Sequence, residues 1–159
     1  MEDILNNLNT FLSDLNVFYR KLQNYHWNIK GKDFFTVHAK LEEYYDEVNE
    51  KIDEIAEHIL SLEGAPLGTL KDYLNTTKIK EAENKKVDST IVLNELIKDY
   101  SMLLSDAKNI KEKAEELYAY AKEKSTPIIE KAADEVRKQS VKVLKDLQKK
   151  IESKPSKSK

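Results

Sequence analysis

The sequence predicts an all-helical four-helix bundle with one long crossover between its second and third helices. Three observations carry that expectation. Helix breakers are scarce, with three glycines and three prolines in 159 residues. Between them apolar residues return every three or four positions, the period of one helix face. The connections are also unequal: two need only a few residues, whereas the stretch from Glu63 to Asp88 takes about 26.

The first helix carries Leu8, Phe11, Leu15, Phe18, Leu22, Tyr25 and Ile29 at alternating steps of three and four and is expected to end at Lys30 and Gly31. The second starts after Asp33 as N-cap and runs through Leu41, Tyr45, Val48, Ile52, Ile55, Ile59 and Leu62 to Gly64. The third, capped near Asp88 or Ser89, fits Leu93, Leu96, Tyr100, Leu103, Ala107, Ile110, Ala114, Leu117 and Ala121. The fourth opens at "STP", where Pro127 suits a first helical turn, and continues through Ile129, Val136, Val143, Leu147 and Ile151. A helix of about 29 residues is roughly 43 Å long, so the long connection can return the chain to the other end of the bundle. That is the connectivity of ferritin-like bundles. The amphipathic "APLGTLKDYL" is expected to form a short helix within the crossover. Residues 1–152 are the expected bundle and residues 153–159 a flexible Lys/Ser-rich tail.

Composition narrows the chemistry. The chain is 40% hydrophobic and 35% charged, enough for one core inside an ion-rich surface. It has no cysteine, which excludes disulfides, thiolate metal sites and cysteine nucleophiles. With 27 basic and 29 acidic residues the formal charge is −2, so the body does not resemble a nucleic-acid glove. The opening "MEDILNNLNTFLSDL" lacks the positive region and long apolar run of a signal peptide, and no stretch reaches a transmembrane length. The expected compartment is the cytosol.

The segment "HWNIKGKDFFTVH" holds two of the three histidines, His26 and His38. Beside the apolar stripe of the second helix runs another of His38, Glu42, Asn49, Asp53 and Glu57. His38 and Glu42 are four apart, as are Asp53 and Glu57, so each pair shares a face and can offer two ligands to one metal. Within one chain the pairs cannot meet, because fifteen residues of unbroken helix separate His38 from Asp53 by about 22 Å. A two-fold axis near residues 45 and 46, pairing this helix antiparallel with its copy, brings His38 of one subunit opposite Asp53 of the other. Imidazole and carboxylate without sulfur suit iron or a similar first-row ion. The same residues also fit a plainer reading, a hydrogen-bonded core histidine and a solvated acidic face.

Residues 22–60, "LQNYHWNIKGKDFFTVHAKLEEYYDEVNEKIDEIAEHIL", resemble the signature of the Dps family, the mini-ferritins. The shared features are a His-Trp pair, a Gly, a Phe-rich helix start, a second His twelve after the first, and Asp-x-x-Ala-Glu. "GAPLGTLKDYL" is similar to the family's crossover helix, and the resemblance covers residues 1 to about 76. It implies a dodecameric shell of two-fold dimers whose intersubunit ferroxidase centres oxidise Fe(II), preferably with hydrogen peroxide, and store ferric oxide. By the same resemblance His26, His38 and Glu42 are ligands from one subunit and Asp53 and Glu57 those of its partner. Trp27 matches a tryptophan beside the site that can donate an electron. Tyr25 and Tyr45 lie near the ligands by spacing; they could quench stray oxidising equivalents, but packing is the expected role of both.

Three positions depart from the family. His58 stands where Arg is usual, Val141 where a second tryptophan is usual, and Glu123 sits between Lys122 and Lys124 where acidic residues line a pore. The end of the chain, "KKIESKPSKSK", holds five lysines and one glutamate. Many such tails on one shell could hold DNA without sequence preference, through additive phosphate contacts. The rival expectation is a DNA-compacting or structural shell with weak ferroxidase activity.

Overall fold

A computed structural model describes residues 2–152 of the chain. Its elements are α1 (Glu2–Asn28), β1 (Ile29–Lys30), α2 (Phe34–Ser61), α3 (Leu70–Thr76), β2 (Val87–Asp88) and α4 (Ser89–Glu152). The tail from residue 153 lies outside the described residues. The chain divides within α4 into two compact units, Met1–Ala114 and Glu115–Lys159, and everything below concerns the first unless stated.

α1 and α2 form the short-looped hairpin that the periodicity predicts. Leu15, Phe18, Leu22 and Tyr25 of α1 pack in one core with Leu41 and Val48 of α2 and with Val92, Leu96 and Leu103 of α4. Burying each large apolar side chain contributes about 1.5–3 kcal/mol, so this cluster orients the helices. The loop between α1 and α2 turns on Gly31, whose φ of 108° lies where a side chain is strained. Asp33 occupies the expected N-cap position but makes no capping bond; its Oδ2 accepts instead from the Ser89 hydroxyl at 3.0 Å. β1 and β2 pair in parallel, Ile29 with Val87 and Lys30 with Asp88. The starts of α2 and α4 are thereby held side by side.

α2 stops at Ser61, three residues before the expected glycine, and Glu63 takes the left-handed conformation with φ 60°. Gly64 is needed for another reason. A Cβ there would stand 2.5 Å from Leu5 Cδ2 and 3.0 Å from Ile59 Cγ2, so any larger residue makes the Leu5 side chain shift where the chain leaves against α1 and α2.

The crossover then tracks along α1. Asn9 receives Leu67 N–H at 2.8 Å and donates to Ala65 O at 3.2 Å. Asp14, fully buried, accepts from the Thr77 hydroxyl at 2.7 Å and from Lys78 N–H at 2.6 Å. Asn24 donates to Asn84 at 2.8 Å, and Ile29 meets Val87 in the sheet. From residue 9 to residue 29 this descends about 30 Å of helix. The expected short helix is α3, capped by Thr69, whose hydroxyl accepts from Asp72 N–H at 3.1 Å.

α4 differs from expectation in one respect. The third and fourth helices were expected to part before Pro127, but α4 is a single helix with Pro127 inside it. A proline removes one helical hydrogen bond, at about 3 kcal/mol, without itself reversing the chain. Lys122, Glu123, Lys124 and Ser125 offer no glycine for a left-handed stop, and Ala, Glu and Lys on both sides favour helix. On α4 the buried stripe is Val92, Leu96 and Leu103, while Leu93 and Ile97 are exposed. No helix among the described residues is long and apolar enough to cross a membrane.

Candidate metal centre

His26 sits in the last turn of α1, where backbone carbonyls lack helical partners, and His38 sits in the second turn of α2. The two histidines satisfy each other. His26 Nδ1–H donates to the carbonyl oxygen of His38 at 2.9 Å, and His38 Nδ1–H donates to that of His26 at 2.8 Å. The rings stack with centroids 3.6 Å apart and planes 20° from parallel, and Phe34 stacks on His38 at 4.9 Å.

This pairing fixes the tautomer. A carbonyl oxygen can only accept, so both Nδ1 atoms carry hydrogen, and in the neutral rings both Nε2 atoms keep a lone pair. A metal-binding histidine is commonly held in this way, with the far ring nitrogen anchored to a carbonyl. His26 is 7% exposed and His38 half-buried, so neither ring is free to turn away.

The remaining predicted residues fall into two groups. Glu42 lies one turn beyond His38 on α2. Partial burial first, then the carboxylates of Glu42 and Asp46, raise the Tyr45 phenol above its ordinary range. Tyr45 also meets His26 edge-on at 5.4 Å. Trp27, next to His26 in sequence, is 57% exposed and gives its carbonyl to Lys86 Nζ at 3.2 Å. Asp53 and Glu57 lie exposed farther along the same unbroken α2. Fifteen residues of helix, about 22 Å, keep them from His38. Among the described residues no group of three or more His, Cys, Asp or Glu could hold a metal ion. One chain therefore brings together His26 and His38, with Glu42 one turn farther along α2, and holds Asp53 and Glu57 toward the other end of that helix.

Beside the histidines is a charged cluster that sequence reading did not single out. Lys21 is buried, with Nζ 2.7 Å from Asp99 Oδ2 and 3.7 Å from Glu95 Oε2. Tyr25, buried next to it, is pushed up to about 12 by burial, then by Glu95 and Asp99. Its signal was available: Asp99 interrupts the apolar spacing of Val92, Leu96 and Leu103, and a carboxylate in such a stripe requires a buried cation.

Known proteins with this pattern were found by three comparisons. A family model described as a ferritin-like domain matches residues 5–153. General stress protein 20U of Bacillus subtilis (strain 168) is 38% identical over 116 residues, covering 73% of this chain and 79% of that protein. DNA protection during starvation protein 2 of Bacillus anthracis is 41% identical over 107 residues, covering 67% and 73%. Among solved structures, the DPS protein from Vibrio cholerae O1 superposes with a TM-score of 0.71 at 38% identity, covering 76% of this chain and 75% of that one. That structure is described as a member of a broad superfamily of ferritin-like diiron-carboxylate proteins.

Proposed function

The chain belongs to the Dps family of ferritin-like proteins, and on that premise we propose that it is a ferroxidase that oxidises and stores iron. Fe(II) is the substrate and hydrogen peroxide the preferred oxidant. Ferric oxide collects within a dodecameric shell in the cytoplasm. The observation that carries the reading is the reciprocal bonding of His26 and His38, which leaves two preset Nε2 lone pairs, with Glu42 one turn beyond His38 on the same helix.

Each centre takes His26, His38 and Glu42 from one subunit and Asp53 and Glu57 from its two-fold partner. Two Fe(II) ions held together give one electron each to one peroxide, forming two Fe(III) and two hydroxide ions and releasing no radical. The protein's part is to hold hard ligands in place and leave a position open to the oxidant. DNA is protected because Fe(II) and peroxide are consumed together, and the lysines of residues 149–159 add non-specific contact with the DNA backbone.

Anaerobic titration with Fe(II) tests this reading. We expect at least about one tight ion per subunit, followed by rapid ferric absorbance when peroxide is added. Tight binding below that level leaves the rival, a DNA-compacting or structural shell with weak ferroxidase activity.

A further inference from the structure

We propose that Ser89, the first residue of α4, is a positioning residue for the His26–His38 pair, acting through Asp33 and Phe34. The proposal rests on the iron reading above. It starts from a cap that is not made. Asp33 stands at the N-cap of α2 with φ −93° and ψ 11°, outside the extended range usual there, and its side chain bonds none of that helix's N–H groups. Its Oδ2 takes the Ser89 hydroxyl at 3.0 Å instead. Ser89 is free to give it, because α4 is capped by the residue before: Asp88 Oδ1 accepts from Thr90 N–H at 2.9 Å. Ser89 is itself buried, which shields the bond from water.

Phe34 comes directly after Asp33, and its N–H donates to Gly31 O at 3.3 Å. Its ring stacks on His38 at 4.9 Å with the planes 23° apart, while His26 stacks on His38 at 3.6 Å. The two neighbours of the His38 ring are held differently. His26 is tied to His38 by two hydrogen bonds, whereas the apolar Phe34 ring is placed only by the direction in which α2 begins. That direction is set from α4. The pairing of Ile29 with Val87 and Lys30 with Asp88 brings the two segments level, and the Ser89 bond carries the connection across the loop to Asp33. Without the Ser89 hydroxyl, the Asp33 carboxylate is released to the first N–H groups of α2, the ordinary partners of a cap. The helix then gains its usual start, and Phe34 leaves the face of His38. A local cap is thus exchanged for a longer-range bond that keeps the His38 Nε2 in one direction before an ion arrives, which lowers the ordering needed on binding.

The test uses the assembled full chain, intact and as Ser89→Ala, Asp33→Asn and Phe34→Leu. Each is measured for the melting temperature of the metal-free shell, the anaerobic affinity for Fe(II), and the rate of ferric formation with peroxide at saturating Fe(II). Ser89→Ala is expected to weaken Fe(II) binding about tenfold yet melt close to the intact protein, since Asp33 regains a cap. Phe34→Leu is expected to weaken binding by a similar factor. Asp33→Asn keeps an oxygen for the Ser89 hydroxyl and is expected to bind Fe(II) as the intact protein does. At saturation all the rates stay within about twofold, because the ligands themselves are unchanged. With tight binding in the intact protein, unchanged affinity in Ser89→Ala or in Phe34→Leu overturns the positioning role alone. Affinity and melting temperature that fall together in Ser89→Ala overturn it as well, as does an Asp33→Asn as weak as Ser89→Ala. Should Phe34→Leu fail to assemble, Ser89→Ala decides. An intact protein without tight Fe(II) binding overturns the iron reading and the positioning role together.

Discussion

The two ends of α2 are built by opposite rules. At the first, His38 is half-buried, stacked between His26 and Phe34, and tied to a backbone carbonyl of α1. At the second, Asp53 and Glu57 stand exposed on the helix. The closed end spends packing on fixing two imidazoles before any metal arrives, which lowers the ordering needed on binding. The open end keeps two carboxylates accessible. In the proposed centre the preset half captures the ion and the accessible half completes it, so dimer formation and metal capture are linked.

The largest effect comes from breaking either end. His38→Ala and Asp53→Ala, each made alone, are expected to abolish rapid Fe(II) oxidation, because every centre draws on both ends. Co-assembling the two variants restores about a quarter of the centres, since half the randomly paired dimers hold one intact centre of two. Mixed shells that form and recover nothing exclude the shared geometry.

A second contrast sets the buried ion pair between α1 and α4 against the exposed carboxylates of α2. Lys21→Met leaves Asp99 buried without its cation and is expected to cost about 3 kcal/mol in denaturant unfolding. Asp53→Asn, at the open end, is expected to stay within about 0.5 kcal/mol of the unsubstituted protein. Equal losses from the two substitutions would erase the contrast.

High pH probes the same cluster. Tyr25 has a folded value of about 12 against an ordinary 10.0, so as pH rises the unfolded chain loses its proton first. Stability present below pH 10 is therefore lost between 10 and 12, by roughly 2 kcal/mol. Tyr25→Phe removes that part of the slope in an unfolding series across this range. A smaller loss is expected of Gly31→Ala. The positive φ makes a side chain costly there by about 1 kcal/mol, while the nearest atom to the new Cβ, Asp88 Oδ2 at 3.5 Å, leaves room for it. A melting shift well above that would mean the loop holds His26 and His38 in register more tightly than its backbone strain implies.

Much of this was legible in the residues. The faces of α1 and α2, the short helix in the crossover and the start of α4 follow from periodicity and turn residues, which are local signals. The two-residue pairing of β1 with β2 was not legible, because Ile29–Lys30 and Val87–Asp88 meet only after the crossover has brought them together. The break at Pro127 was over-read: proline suits a helix start, but that preference does not outweigh the helix formers around it. Spacing placed His26 near His38 and separated Asp53 from both. It left open whether the histidines were core residues or ligands, and it could not show that each Nδ1 bonds the other's carbonyl, a matter of tertiary contact. Tyr45, expected to pack, does so, edge-on to His26 and Tyr19.

The crossover's grip on α1 governs how the length of this chain can vary. Asn9 clasps residues 65 and 67, Asp14 clasps 77 and 78, and the next side-chain tie is Asn24 with Asn84. Each clasp is set by the rise of α1, so the segments between them act as spacers of fixed span. Residues gained or lost between 67 and 77 must be absorbed by α3, whereas an insertion in the exposed run at 83–86 disturbs only the surface ties of Asn84 to Asn24 and of Lys86 to the Trp27 carbonyl. Among relatives, insertions should therefore gather just before β2 and spare the stretch that Asp14 holds, so that indel positions alone would trace the clasps.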